Sequence, residues 1–331
     1  MSRIGEEASA VTVPAGAARG GAAGEPREGQ TFAGDSLLAR YASFVKLPHT
    51  LFALPFAGVG AIVGTRVRPD AVTPGVALWI VLAFTAARFA AMGFNRIVDA
   101  RYDALNPRTR QRELPTGRLS MTQAAAAVAV ASVVFVAAAW WLNPLCGWLS
   151  PVALAWVFFY SYTKRFTAWS HIVLGVGLGI APVGAYLAVT GEWSEPWWAL
   201  VAFAAAVTAW AAGFDIIYAV QDEAFDREHG LHSIPARLGV RRALGVARLL
   251  HFLAVVAFFG LWWLRAFPLG WLYLAGVGVM AVLLHFAHAS LRGRPAEALD
   301  FRRIDRAFFH TNVGVSTSFF VLTLLERVLL G

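Results

Sequence analysis

Apolar runs of about 20 residues recur from one end of this chain to the other, and that is the length an α-helix needs to cross the hydrocarbon of a bilayer. Nine such runs are read, over residues 48–65, 74–98, 121–142, 145–163, 168–190, 196–218, 243–264, 267–289 and 308–330. The fourth starts directly behind Pro144 and the eighth carries Pro268 in its first turn, where proline is tolerated. Of the 331 residues, 58% are hydrophobic, above the ~45–50% of a soluble domain. The excess is spread over the whole length, so a single buried core does not account for it. Thirteen Trp and 24 Phe suit the aromatic belts at membrane interfaces. The fold class expected is an all-α integral membrane protein, a bundle of nine transmembrane helices embedded in a lipid bilayer.

The charges give that bundle an orientation. Basic residues gather after the second, fourth, sixth and eighth runs: Arg101, Arg108, Arg110, Arg112 and Arg118; Lys164 and Arg165; Arg227, Arg237, Arg241 and Arg242; Arg292, Arg294, Arg302, Arg303 and Arg306. The other face holds only Arg66, Arg68, Arg265 and Arg327. The positive-inside rule then puts the N-terminus and these loops in the cytoplasm and the C-terminus outside. The formal net charge of +8 is explained by these topology signals, and no nucleic-acid partner is expected. The single Cys146 excludes an intramolecular disulfide and is read as packing. Residues 1–35 are rich in Ala, Gly, Glu and Arg, have no apolar core of a signal peptide, and read as a disordered tail. The membrane domain is expected over residues 36–331, entered through a short amphipathic segment at Leu37–Val45.

A weak internal repeat relates the two most acidic segments. Asn95-x3-Asp99-x3-Asp103 follows the second run, and Tyr218-x3-Asp222-x3-Asp226 follows the sixth, 123 residues later. Pro55 and Pro182 stand 127 apart in similar small-residue surroundings. A four-helix unit used twice would bring the acidic motifs together across a pseudo-symmetry axis.

Residues four apart share one helical face, about 6 Å from each other. Stacked carboxylates repel unless a cation lies between them. Carboxylate and amide oxygens suit Mg2+, a hard ion that takes few protein ligands and completes its shell with phosphate oxygens. Solvated acids paired with neighbouring arginines are the simpler account of either motif taken alone. Two copies at matching repeat positions, each followed by a basic loop, favour a site for a diphosphate, which needs cations and donors around its oxygens. Arg88 and Asp215 lie inside the second and sixth runs, each seven residues before its motif. Charges at that depth face a cavity or a partner, so the two pair with each other, serve a substrate, or do both. The histidines His49, His171, His251, His285, His288 and His310 show no metal-ligand spacing. For His285 and His288 a packing or interfacial role is expected.

Residues 95–103, NRIVDARYD, and 213–239, GFDIIYAVQDEAFDREHGLHSIPARLG, resemble the two signatures of the UbiA family of membrane prenyltransferases. RTRQRELPTGRLS after the first motif and YSYTKR at 160–165 resemble its basic loops, and the similarity spans about residues 38–330. The resemblance implies nine helices around a central cavity, with a cytoplasmic cap over the aspartates. It implies two Mg2+ ions, one on Asn95, Asp99 and Asp103 and the other on Asp222 and Asp226, with the four aspartates as the catalytic set. Arg112, Lys164 and Arg165 would contact a polyprenyl diphosphate. Arg88, Asn95, Tyr160, Asp215 and Tyr218 would also bind substrate. The implied reaction is polyprenyl transfer to an aromatic acid, above all 4-hydroxybenzoate, in ubiquinone or menaquinone biosynthesis. Other acceptors of the family are a futalosine-pathway intermediate, homogentisate, haem and archaeal lipids. A secondary transporter is the rival outside the family, because pseudo-repeats and intramembrane charges mark those as well. Many members carry Lys before Ser in the second loop where this chain has His232-Ser233, so His232 receives no role. The implied location is the inner (cytoplasmic) membrane.

Overall fold

The computed structural model describes residues 36–46, 50–291 and 301–330. The tail expected over residues 1–35 lies outside the described residues. Every regular element among the described residues is helical. After α1 (Leu37–Phe44) come α2 (Thr50–Gly64), α3 (Pro74–Leu105), α4 (Met121–Leu142), α5 (Pro144–Thr163), α6 (Ser170–Thr190) and α7 (Trp198–Ala219). A 3-10 turn (Val220–Asp222) leads into two short helices, α8 (Glu223–Glu228) and α9 (Ile234–Leu238). The chain closes with α10 (Val240–Trp263), α11 (Trp271–Ser290) and α12 (Phe301–Leu330).

Polar residues at the helix starts set several of these boundaries. Thr73 caps α3 with Pro74 in its first turn, and Asn143 caps α5 through the Cys146 amide with Pro144 behind it. At α4, Ser120 Oγ accepts from the Gln123 amide while Gln123 Oε1 accepts from the Ser120 amide. Each such pair satisfies donors that a helix start otherwise leaves open.

Among the described residues, eight helical segments are long and apolar enough to cross a membrane. They are α3, α4, α5, α6, α7 continued through α8, α10, α11 and the apolar part of α12. The first expected span is the 15-residue α2, about 22 Å long and short of a ~30 Å hydrocarbon layer. Two further boundaries differ from the sequence reading. Helix α3 runs on to Leu105, so the whole first motif is helical, and α12 begins at Phe301 rather than at 308. Hydropathy ends a span at its first polar turn, whereas the hydrogen-bond ladder continues through it.

Helix α7 is the most enclosed span, packed against α6, α10 and α12. Trp210 and Phe203 on α7 meet Phe56, Phe258 and Phe319 in one aromatic core. Backbones approach closely where side chains are small. A Cβ at Gly179 would stand 2.6 Å from the Ala204 carbonyl of α7, the kind of contact that holds helices together in lipid. Large apolar side chains such as Leu78, Trp141, Trp148 and Phe252 point outward.

At the end of the bundle away from the aspartates, Glu326 of α12 caps α11. Its side chain is buried and accepts from the Gly270 amide at 2.6 Å and the Tyr273 amide at 2.9 Å, with Arg66 at 3.6 Å. Gly270 supplies no cap of its own, and a Cβ there would come within 2.9 Å of the Glu326 carboxylate. Glu326→Leu is therefore expected to destabilise the fold by ~2–4 kcal/mol, through two lost charge-assisted bonds and two buried amides left open. Thermal unfolding in detergent measures this. An unchanged midpoint would show that the cap does not hold the helix end.

Candidate active site

A cavity of about 230 Å³ lies where α3, α5, α6 and α7 meet the loop after α3 and the α8 segment. All twelve residues singled out from the sequence line it: Arg88, Asn95, Asp99, Asp103, Arg112, Tyr160, Lys164, Arg165, Asp215, Tyr218, Asp222 and Asp226.

The first motif is one continuous helical face. Asn95 Nδ2 donates to Asp99 Oδ2 at 2.9 Å. One turn on, Asp103 takes Arg112 at 2.7 Å and has Arg96 at 3.8 Å. The second motif departs from the uninterrupted helix that its spacing suggests. Helix α7 stops at Ala219, Asp222 sits in the 3-10 turn, and Asp226 belongs to α8. A 3-10 turn winds more tightly than an α-helix and rotates Asp222 relative to its neighbours. The tightening coincides with the grip of the first loop on this carboxylate. Arg108 holds both its oxygens, Nε to Oδ1 at 2.9 Å and Nη2 to Oδ2 at 2.6 Å, and Asn106 Nδ2 adds a third bond at 3.0 Å. Asp222 and Asp226 both remain buried and both face the cavity.

Lys164 Nζ donates to Asp226 at 3.1 Å. Burial is the strongest influence on this ammonium and disfavours its charge, but Asp226, Asp222 and Asp215 together outweigh it and hold the Lys164 pKa above its ordinary value. The loop that carries Lys164 is tied down by the His232 amide, which donates to the Lys164 carbonyl at 2.6 Å. His232 thus contributes its backbone here. Arg165 donates to the Val98 carbonyl at 2.8 Å and lies over the rings of Tyr102 and Tyr162. Tyr218 is enclosed by cations: its hydroxyl accepts from Lys46 at 3.0 Å and from Arg108 at 3.1 Å. Burial drives the Lys46 pKa below its ordinary value; Tyr218 partly offsets this, and Arg112, Arg96 and Arg108 add to it.

Asp215 faces the cavity from inside α7 and pairs with His171 of α6. Nδ1 of His171 lies 2.6 Å from Asp215 Oδ2, and its Nε2 accepts from the Ile234 amide at 3.3 Å. Because Nε2 takes a backbone N–H, the ring proton belongs on Nδ1, where it is donated to Asp215.

Sequence reasoning passed over Lys46, Arg96, Asn106, Arg108 and His171. Arg108 was visible only as one member of a basic loop, and His171 as an isolated histidine in an apolar run. What distinguishes them is contact across 114 and 44 residues of sequence, which no local pattern encodes.

Among the described residues, no group of three or more Asp, Glu, His or Cys side chains converges as a ready metal cage. Two pairs of aspartates facing one cavity nevertheless suit Mg2+, which needs few protein oxygens because phosphate and water complete its octahedron.

Behind the polar cavity lies a second one of about 480 Å³, lined almost wholly by apolar side chains of α3 to α7 such as Phe84, Phe135, Leu149, Val157, Val183 and Leu200. The two share Arg88, Met92, Asn95, Tyr160, Leu174 and Leu178, so the apolar space opens directly onto the charged one.

This geometry has counterparts in known proteins. A 4-hydroxybenzoate octaprenyltransferase of Methylobacillus flagellatus is 30% identical over 240 residues, covering 72% of this chain and 77% of the relative. The apo structure of a UbiA homolog from Aeropyrum pernix K1 superimposes with a TM-score of 0.74 at 33% identity, covering 84% of this chain and 98% of that one. A UbiA homolog from Archaeoglobus fulgidus bound to GPP and Mg2+ shares the fold at a TM-score of 0.63 and 19% identity, over 87% of this chain and 99% of that one. The model of the UbiA prenyltransferase family matches residues 53–313, a stretch that contains both aspartate motifs, their basic loops and, Lys46 apart, the residues that line both cavities, and the chain belongs to that family.

Proposed function

We propose that this prenyltransferase moves a polyprenyl group from a polyprenyl diphosphate to an aromatic acid, most of all 4-hydroxybenzoate, as a step of quinone biosynthesis. The observation that carries the reading is the joined pair of cavities, one with five aspartates among arginines and lysines, the other apolar and opening onto it at Arg88 and Tyr160. A donor with a highly charged head and a long hydrocarbon tail needs both. The relative from M. flagellatus, named for octaprenyl transfer to 4-hydroxybenzoate, supports the choice of acceptor.

In this reading Asn95, Asp99 and Asp103 hold one Mg2+ and Asp222 and Asp226 the other. When bound, the ions neutralise the charge that builds on the departing diphosphate. Arg108, Arg112 and Lys164, which border the carboxylates and the cavity alike, donate to the remaining diphosphate oxygens, with Arg165 beside them. Breaking the allylic C–O bond leaves an allylic cation, which the electron-rich carbon ortho to the phenol attacks. The apolar walls keep water from capturing the cation. The ring must then lose a proton. Asp215 is the carboxylate held by a histidine instead of by an arginine or lysine, and we assign it as the acceptor of that proton.

The test is turnover by purified protein with one labelled polyprenyl diphosphate and a panel of aromatic acids and phenols. Prenylated 4-hydroxybenzoate with release of diphosphate is the expected result. Turnover only with acceptors that lack a carboxylate would overturn the acceptor assignment, and transport of an intact solute without diphosphate release would overturn the reaction.

The same proposal includes nine spans, with α2 as the short first one, in the inner membrane of a bacterial-type cell. The N-terminus and the aspartate end of the bundle lie in the cytoplasm, capped by the loop after α3 and by α8 and α9, and the C-terminus lies outside. The basic loops at the aspartate end support this orientation. Reporter fusions after Arg118, Gly191 and Gly331 are expected to read inside, outside and outside. A cytoplasmic signal at Gly331 would remove one span from the count.

A further inference from the structure

Two buried polar groups on the wall of the charged cavity are used by nothing described so far. The indole Nε1 of Trp210 and the side-chain Oδ1 of Asn312 have no hydrogen-bond partner among the described residues, and both residues are 1% exposed. Both line the cavity that holds the aspartates, Trp210 from α7 and Asn312 from α12. A buried polar atom left open costs about 1–3 kcal/mol, so two in one wall point to a ligand that completes them.

Their height in the bundle indicates which part of a ligand they meet. Arg88 is fourteen residues into α3 from Pro74, and Trp210 is twelve into α7 from Trp198. Asn312 is fourteen back along α12 from Glu326, which caps the same end of the bundle. At 1.5 Å per residue all three lie about 18–21 Å from that end. They form one tier, which on α3 lies about two helical turns beneath Asn95, with Asp99 and Asp103 farther along the same helix.

We infer that Trp210 and Asn312 complete the acceptor pocket, and that with Arg88 they bind the carboxylate of the aromatic acid. This rests on the acceptor reading proposed above. The Trp210 N–H is a donor and so is every guanidinium N–H. The Asn312 amide presents either oxygen or NH2 to the cavity by a half-turn of its terminal bond, and toward an anion it presents NH2. Three donor groups from three helices then surround one carboxylate, with Arg88 supplying the charge. The tier holds the acid end of the ring away from the aspartates and leaves the opposite, phenolic edge facing the allylic carbon. Asn312 and Trp210 thus act as specificity residues for an aromatic acid over a plain phenol.

The test uses the full-length protein in detergent and reads the ratio of kcat/KM for 4-hydroxybenzoate to that for a matching phenol lacking the acid. Trp210→Phe keeps the ring and removes only the N–H; Asn312→Leu keeps the volume and removes the amide. Each is expected to lower the ratio at least ~10-fold, the effect of one hydrogen bond to a charged group, with the KM for the prenyl donor little changed. Asn312→Asp sets a carboxylate against the substrate's and is expected to lower the ratio at least ~30-fold. A role in packing alone would depress both acceptors equally and leave the ratio fixed, and that result in all three variants would overturn the inference. If the wild-type protein prenylates no aromatic acid, the acceptor reading itself fails. If it does so and all three variants leave the ratio unmoved, only the tier assignment fails.

Discussion

Replacing Asp99 with alanine is expected to lower kcat by at least ~10³-fold at saturating Mg2+ and donor. The leaving diphosphate gains charge as the allylic C–O bond breaks, and groups that act on charge developing in the transition state carry the largest catalytic effects. Asp222→Ala should reach the same magnitude, but the two variants differ in what else they disturb. Asp222 holds Arg108 by two bonds and Asn106 by a third, so its removal strands a half-buried guanidinium. Breaking one side of such a pair costs about 3–5 kcal/mol in stability, and the lost activity of Asp222→Ala would mix chemistry with folding. Asp99 accepts from the Asn95 amide and makes no salt bridge among the described residues. Asp99→Ala is therefore the cleaner variant, expected to keep its thermal midpoint within a few degrees while turnover collapses. Chelation of the wild-type enzyme should abolish turnover and added Mg2+ restore it. Near-normal kcat in Asp99→Ala would end the assignment of an ion to the first motif.

Arg88→Ala is expected to raise the KM for an aromatic acid at least ~30-fold while leaving donor affinity nearly constant. Removing one partner of a desolvated, hydrogen-bonded charge pair costs about 2–5 kcal/mol, most of it the penalty of leaving the other charge buried alone. Arg88 lies ~10 Å, two turns, beyond Asn95 on the same helix. That distance is too long for a ligand to the ions and close to the length of an aromatic ring. It stands where the charged and apolar cavities join. Arg88→Lys should recover only part of the loss, because an ammonium supplies charge without the paired donors of a guanidinium. Phenols without a carboxylate should be poor substrates for the wild-type enzyme and lose little more in the variant. A variant that instead binds the prenyl diphosphate weakly, with acceptor KM unchanged, would place Arg88 in the donor site.

The membrane class, the positions of most helices and the two acidic motifs were legible in the sequence because each follows from local physics. Runs of about 20 apolar residues are spans whatever surrounds them, and Asn95, Asp99 and Asp103 share a face simply because 3.6 residues make a turn. The seven-residue offsets placed Arg88 and Asp215 on the motif side of their helices by the same arithmetic. Pairing was not legible. The sequence left open whether Arg88 and Asp215 pair with each other or serve a substrate, whereas the structure gives Asp215 to His171 and draws Arg108 from the basic loop onto Asp222. The spacing of Asp222 and Asp226 suggested a continuous helix, and the fold inserts a 3-10 turn at Asp222. Nor did hydropathy mark Trp210 and Asn312, one aromatic and one polar residue in spans of ordinary composition. Their open polar atoms acquire meaning only when two helices turn them onto one cavity. Helix periodicity is a property of a dozen consecutive residues. A hydrogen bond across a cavity depends on how separate helices rotate and slide as their small residues pack, so the tertiary structure decided which charges meet and which side chains face the substrate.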